Sequence, residues 1–213
     1  MLNPLITPLT IEKYAKRLVA RLKSPSLRGV VLTGSFARGE AGPFSDLDVW
    51  CFYDGISRKT PSLPELTGHS LDLREVCIVD FRKAADGSRE YVSPCFEQLK
   101  VFGETPFVLP SRKEIREGVM KLLHSIDTRL KCIVPPVNHY EILNDIMYLL
   151  RIEWYFATHE YPLTLSELYT IQFEESDRML VEYFASYLFG EGEEKKSGDE
   201  FRSVIKTFLD KRL

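Results

Sequence analysis

The sequence predicts an α/β (α+β) fold, a mixed β-sheet flanked by helices and followed by a C-terminal helical bundle. Three observations predict it. Between residues 30 and 81, short apolar runs alternate with turn residues. From residue 111 onward, long segments repeat their apolar positions at helical spacing. The chain has 213 residues, 44% hydrophobic and 12% aromatic, enough for one large domain or two small ones. The change of pattern puts the expected boundary near 108–112, giving a first domain over 1–110 and a helical domain over 111–213.

Each element has its own signal. Thr10 is placed to cap a helix through about Ser24, with Ile11, Ala15, Leu18, Val19 and Leu22 as its apolar stripe. Val30-Val31-Leu32 reads as a strand, and Asp46 to Tyr53 as a second, stopped by Asp54-Gly55. Residues 57–68 hold two prolines and read as an exposed loop. Leu71 to Phe81 reads as a third strand and Phe107-Val108-Leu109, closed by Pro110, as a fourth. Ser111 with Glu114 three residues on forms a capping box for a helix to about Lys131. Pro135-Pro136 breaks the chain, and Asn138 opens a long helix to about His159. Helices over 166–172, 177–189 and 199–211 follow, the last two separated by the polar linker 190–198.

Charge and composition exclude several classes. The net charge of −3 and a pI near 5.9 are wrong for a general nucleic-acid binder, so nucleic acid is not an expected partner. No apolar run is long enough to span a bilayer. Met1-Leu2-Asn3-Pro4 opens without a basic segment and apolar core, so a cytoplasmic protein without membrane partners is expected. Cys51, Cys77, Cys95 and Cys132 are scattered without a C-x-x-C pair and read as reduced thiols. His69, His124, His139 and His159 show no metal-ligand spacing.

One segment carries chemistry. Leu32-Thr33-Gly34-Ser35-Phe36-Ala37-Arg38 runs from a strand into a turn, and Gly42-Pro43-Phe44-Ser45-Asp46-Leu47-Asp48 leads into the next strand. Side chains alternate along a strand, so Asp46 and Asp48 point the same way, about 7 Å apart. Two carboxylates on one face repel each other unless a cation sits between them. Oxygen ligands of this kind suit Mg²⁺, which takes one or two carboxylates together with phosphate oxygens. Gly34 lets the backbone approach a ligand closely. The amides after it, the Ser35 hydroxyl and the Arg38 guanidinium can then hold a triphosphate. The parts together describe a metal–nucleotide site.

Gly34-Ser35 followed by Ser45-Asp46-Leu47-Asp48 resembles the signature of the DNA polymerase β-type nucleotidyltransferase superfamily. The Gly-Ser-x-x-Arg and Gly-Pro-aromatic-Ser-Asp elements are similar to those of the kanamycin and other aminoglycoside nucleotidyltransferases. The specific match covers about twenty residues, and a weaker likeness in plan covers most of the chain. The resemblance implies Gly34, Ser35, Arg38 and Ser45 on the nucleotide, with Asp46 and Asp48 holding two Mg²⁺ ions together with a third carboxylate on a neighbouring strand. Asp72 and Glu75 are the choices for it; three apart, they face opposite sides of a regular strand. Asp72, between two leucines and after Thr67-Gly68, is preferred.

The resemblance then implies an adenylyltransferase: ATP as co-substrate, a small-molecule hydroxyl as acceptor, pyrophosphate as product, and antibiotic-resistance-like activity. It also leaves room for a homodimer. In the helical half, Glu141 matches an acceptor-binding position of those enzymes and Arg151 their arginine; Asp145 lies one turn from Glu141 and could serve the same end, since acids there would suit a polycationic acceptor. Those enzymes often carry a phosphate-binding lysine thirteen residues after this arginine; Thr164 stands there instead. Two alternatives stay open: the same chemistry on a protein or RNA acceptor, and an inactive nucleotide-binding protein on the same fold.

Overall fold

The computed structural model describes residues 8–22, 24–41, 45–55, 71–83, 86–132, 139–189 and 198–213. Gly42-Pro43-Phe44, the loop over 57–68 with Thr67-Gly68, His69, Pro135-Pro136 and the polar linker through residue 197 lie outside them. The side chain of Thr10, the expected cap, and that of Cys132 do too.

The chain divides into two compact units, Met1–Ala85 with Ser93–Leu109, and Asp86–Val92 with Pro110–Leu213. The first unit is built on a four-stranded sheet of order β3-β2-β1-β4. Its strands are β1 (Leu27–Thr33), β2 (Leu47–Tyr53), β3 (Leu71–Cys77) and β4 (Gln98–Gly103). β1 is antiparallel to β2 and to β4, while β2 and β3 run parallel, so the sheet is mixed. The two central strands are apolar on both faces: Val30, Val31, Leu32, Val49, Cys51 and Phe52 are all fully buried. That is why they read as continuous apolar runs instead of alternating ones.

The two faces of β2 bury different things. Leu47, Val49, Cys51 and Tyr53 pack with Tyr14, Leu18 and Leu22 of α1 (Pro8–Leu22), the amphipathic helix that covers one face. Trp50 and Phe52 face the other way, into a cluster with Phe81 and Phe107 whose ring centroids are 5.2–5.7 Å apart edge to face. The alternation also fixes Asp48 on the Trp50 side of the sheet.

Two expectations are corrected. The third strand stops at Cys77, and Ile78–Lys83 turns into α3, which carries Phe81 to the aromatic cluster. Phe107-Val108-Leu109 is not a strand; Phe107 is a buried plug, and Val108 is exposed. The fourth strand is instead Gln98–Gly103, an edge strand with Leu99, Lys100 and Phe102 exposed. The 5-residue helix α2 (Gly34–Arg38) and the 8-residue helix α4 (Arg89–Phe96) complete the elements before residue 110.

The second unit holds α5 (Arg112–Cys132), α6 (His139–Thr158), α7 (Leu165–Thr170), α8 (Glu175–Phe189) and α9 (Gly198–Asp210). The Ser111 capping box forms as expected: Ser111 N–H donates to Glu114 Oε2 at 2.8 Å and Glu114 N–H to Ser111 Oγ at 3.3 Å. Helix α6 is buried on almost every side from Ile142 to Ile152, which marks it as the central helix. Thr164 caps α7 with Glu167 in a second capping box.

The end of the chain ties this unit together. Arg212 Nη2 donates to Asp177 Oδ2 at 2.7 Å and to Glu153 Oε2 at 2.8 Å, and its guanidinium lies 3.8 Å from the Phe208 ring centroid. Asp177 is only 5% exposed, so losing Arg212 leaves a buried charge without its counterion. Arg212→Ala is expected to cost about 3 kcal/mol, a fall of roughly 6–12 °C in melting temperature. Adding Asp177→Asn should recover part of that loss, because the buried charge is then gone.

Candidate active site

The site grows out of strand pairing. In the β2–β3 register Asp48 stands opposite Asp72, and one step along Trp50 stands opposite Arg74. All four project from the same face, because the pleat alternates in step on paired strands. Asp46 lies two residues before Asp48, just ahead of β2, and is exposed. Thr33, at the end of β1, pairs with Asp48 on the other side and accepts a hydrogen bond from Trp50 Nε1 at 3.2 Å.

Gly34 then becomes intelligible. Its φ is +68°, a conformation that disfavours every side chain. A Cβ placed there would run into Asp48 Oδ2. The turn between β1 and α2 is therefore a cradle for the Asp48 carboxylate. Ser35, the next residue, is half-buried in α2, and Ser45 is half-buried ahead of β2.

Electrostatics record the crowding. The Asp48 carboxyl is pushed up to about 6, first by burial, then by the charges of Asp46 and Asp72; Arg74 and Arg38 pull the other way. Among the described residues no three His, Cys, Asp or Glu side chains close around one point as a ready metal cage. Asp72 instead turns its Oδ2 to Arg74, whose Nε and Nη2 donate to it at 3.1 and 2.9 Å. The donor set nevertheless suits a hard divalent cation: acidic oxygens only, on one face, beside a glycine that leaves room for them.

Glu75 belongs to the opposite face. It pairs with Cys51 in the register and hydrogen-bonds with Tyr53, on the side covered by α1. Its Oε1 is buried with no hydrogen-bond partner. Cys51 nearby is pushed up to about 12 by burial and by the Glu75 charge, and Cys95 to about 12 by burial, so both are unreactive thiols at neutral pH.

Three arginine and acid placements differ from expectation. Arg38 does not reach out toward a ligand. Its Nε donates to Glu40 Oε2 at 3.0 Å and its Nη1 to Glu97, and all three side chains are nearly buried. This triad binds α2 to the start of β4, and the Arg38 charge lowers the Asp48 carboxyl. Asp145 is not an open acid: buried in α6, it accepts from both Arg89 and Arg129. Arg151 is 2% exposed, and its Nε donates to the Pro162 carbonyl at 3.0 Å. Glu141, on the same helix, is exposed. Arg74, Trp50 and the two acids that hold Arg38 were not singled out in the sequence. The i, i+2 step from Asp72 to Arg74 was the available signal for the first of them.

Two measurements check this geometry. Gly34→Ala must adopt an unfavourable φ and displace Asp48, and is expected to cost about 1–3 kcal/mol in a urea titration. For Asp48 the sign is the reverse of the usual carboxylate. Its folded value of about 6 lies above the ordinary 3.8, so between these pH values the folded state keeps a proton that the unfolded state has lost. Stability contributed by that proton is full below 3.8 and is lost as pH rises through about 6. Without divalent ions, Asp48→Asn should therefore stabilise the chain by about 1–2 kcal/mol at pH 7.5 and by nearly nothing at pH 4.

Comparison with known proteins bears on the fold and the family. Spectinomycin adenyltransferase AAD(9) from Enterococcus faecialis, in its structure with ATP and spectinomycin, is 14% identical and superposes with a TM-score of 0.61 over 96% of this chain and 98% of its own. At that identity the likeness is one of fold. A nucleotidyltransferase-like protein from Exiguobacterium sibiricum 255-15 is 10% identical over 94% of this chain and 73% of its own, with a TM-score of 0.32, too low to bear on the fold. No curated protein matches the chain. Residues 11–117, half of the chain, match the nucleotidyltransferase domain model, and this chain belongs to that family.

Proposed function

We propose that the chain is an adenylyltransferase that moves AMP from ATP to a hydroxyl of a small molecule and releases pyrophosphate. The observation that carries the reading is the pairing of Asp48 with Asp72 across two parallel strands, beside a left-handed glycine whose missing side chain leaves room for the Asp48 carboxylate. The fold likeness to an adenyltransferase captured with ATP and spectinomycin supports ATP as donor and an aminoglycoside-like molecule as acceptor. The first unit carries the chemistry in this reading; on the helical unit, the exposed Glu141 is open to a cationic ligand.

Asp46, Asp48 and Asp72 would hold two Mg²⁺ ions. When bound, these ions supply charge neutralisation on the triphosphate and lower the pKa of the acceptor hydroxyl. The protein's residues do the rest. The turn at Gly34-Ser35 seats the phosphates close to the backbone, and the Ser35 and Ser45 hydroxyls orient them. The acceptor oxygen attacks the α-phosphorus, the bond from that phosphorus to the bridging oxygen breaks, and pyrophosphate takes that electron pair. Asp72 accepts the hydroxyl proton. Much of the rate comes from alignment, since phosphoryl and nucleotidyl transfer need positioning and charge stabilisation more than covalent help.

Pyrophosphate release from ATP over a panel of hydroxyl acceptors tests the reading. Asp46→Asn, Asp48→Asn and Asp72→Asn should each lower turnover by about 1,000-fold or more, while Glu75→Gln stays within about tenfold of the parent. Turnover retained in the first two variants rejects the metal assignment. Loss in Glu75→Gln with retention in Asp72→Asn transfers the third-carboxylate role to Glu75.

A further inference from the structure

Among the described residues, Arg74 is the cation paired directly with a carboxylate of the Asp46, Asp48 and Asp72 group. Arg74 projects from β3 on the same face as Asp48 and Asp72, one pleat further along than the acids. Two of its donors, Nε and Nη2, go to a single oxygen, Asp72 Oδ2, at 3.1 and 2.9 Å. Its guanidinium carbon lies 4.9 Å from the centroid of the Trp50 ring.

These contacts differ in permanence. Trp50 is fixed: it is 8% exposed, tied to Thr33, and wedged edge to face against Phe81 and Phe107. The ion pair is not. Arg74 and Asp72 have side chains 42% and 41% exposed, so water screens their attraction. A planar guanidinium on a rigid aromatic face can slide and pivot while keeping its stacking contact. Arg38 contrasts with it at every point, since its side chain is 9% exposed and is gripped by two buried carboxylates. An arginine held firmly on one side and loosely on the other is built to change partners.

The loaded and unloaded sites ask for different things from a cation. Unloaded, Asp46, Asp48 and Asp72 crowd negative charge onto one strand pair, and a resident positive charge relieves it. Loaded, divalent ions relieve that charge, and the surplus negative charge sits on the triphosphate. Resting on the proposed function above, we propose that Arg74 is a movable counterion. It holds Asp72 in the unloaded site, then releases that carboxylate for metal binding and pivots on Trp50 to donate to the phosphates of the nucleotide. In that second position it supplies the phosphate-facing cation that Arg38, buried in its own triad, does not.

Two readouts on the full chain test it, using Arg74→Gln and the charge-preserving Arg74→Lys. The first is the melting temperature titrated with MgCl₂ in the absence of nucleotide. Metal competes with Arg74 for Asp72, so the Mg²⁺ midpoint in Arg74→Gln should fall by about three- to tenfold relative to the parent. The second is the KM for ATP, which should rise by about tenfold in Arg74→Gln with a smaller change in kcat. Arg74→Lys should keep the parent's Mg²⁺ midpoint but share the raised KM, because lysine keeps the charge and loses the two-donor fork. The inference requires one guanidinium in both states, so movement of only one readout in Arg74→Gln, or of neither, overturns it. A parent chain with no Mg²⁺-dependent shift and no pyrophosphate release fails the proposed function itself. A parent that shows both, matched by Arg74→Gln, fails the role of Arg74 alone.

Discussion

The contact between Gly34 and the Asp48 carboxylate sets the terms for everything around it. An acid half-buried among other acids is a costly thing to place, and its carboxyl responds by rising to about 6. The fold accepts that cost because the strand ladder leaves Asp48 little choice. Leu47 and Val49 are fully buried on the α1 side, so the residue between them must emerge on the other face. A one-residue slip would bury both acids of the Asp-x-Asp pair in hydrocarbon and expose two core residues. The apolar packing therefore fixes the acid, and the glycine supplies the room.

The same logic explains the neighbours. Parallel pairing of β2 and β3 puts residues of equal phase side by side, so Asp72 arrives opposite Asp48 and Arg74 opposite Trp50 without any loop having to place them. Side chains built on paired strands are held more precisely than those on loops. The aromatic cluster of Trp50, Phe52, Phe81 and Phe107 serves as the floor next to the acids. Its burial gives that end of the sheet rigidity that a group of mutually repelling carboxylates cannot supply for itself.

The central strands, α1, the long helices and the Ser111 cap were legible because each depends on local pattern: apolar period, β-branched runs, a hydroxyl three residues before a glutamate. The aspartates of the site were legible for a related reason, since the spacing of an Asp-x-Asp pair survives in sequence. The elements that were missed depend on distant partners. Gln98–Gly103 is a short edge strand of mixed polar and apolar residues, and its identity comes from pairing with β1. Phe107 looks like a strand residue but is a plug for aromatic rings more than fifty positions earlier as well as for Phe81. The arginines are the clearest case. Spacing after Ser35 makes Arg38 look like a phosphate ligand, and only the fold shows Glu40 and Glu97 waiting for it.

Burial of an arginine against two acids is itself informative about where free charge can act. Such a group is costly to desolvate, and the chain compensates it with a pair of carboxylates in each unit: Glu40 and Glu97 around Arg38, Glu153 and Asp177 around Arg212. The reverse arrangement, one buried acid between two arginines, occurs at Asp145 with Arg89 and Arg129. In all three a buried charge is balanced by two partners at once, and the guanidinium works as a structural tie. Function requires the opposite condition: a charge whose present partner can be exchanged at small cost for a better one. On β3 that condition is met by a solvent-screened pair on a rigid indole, next to acids that a divalent ion would satisfy more fully than an arginine can. A cation at that position offsets the repulsion among the acids while leaving them open to exchange.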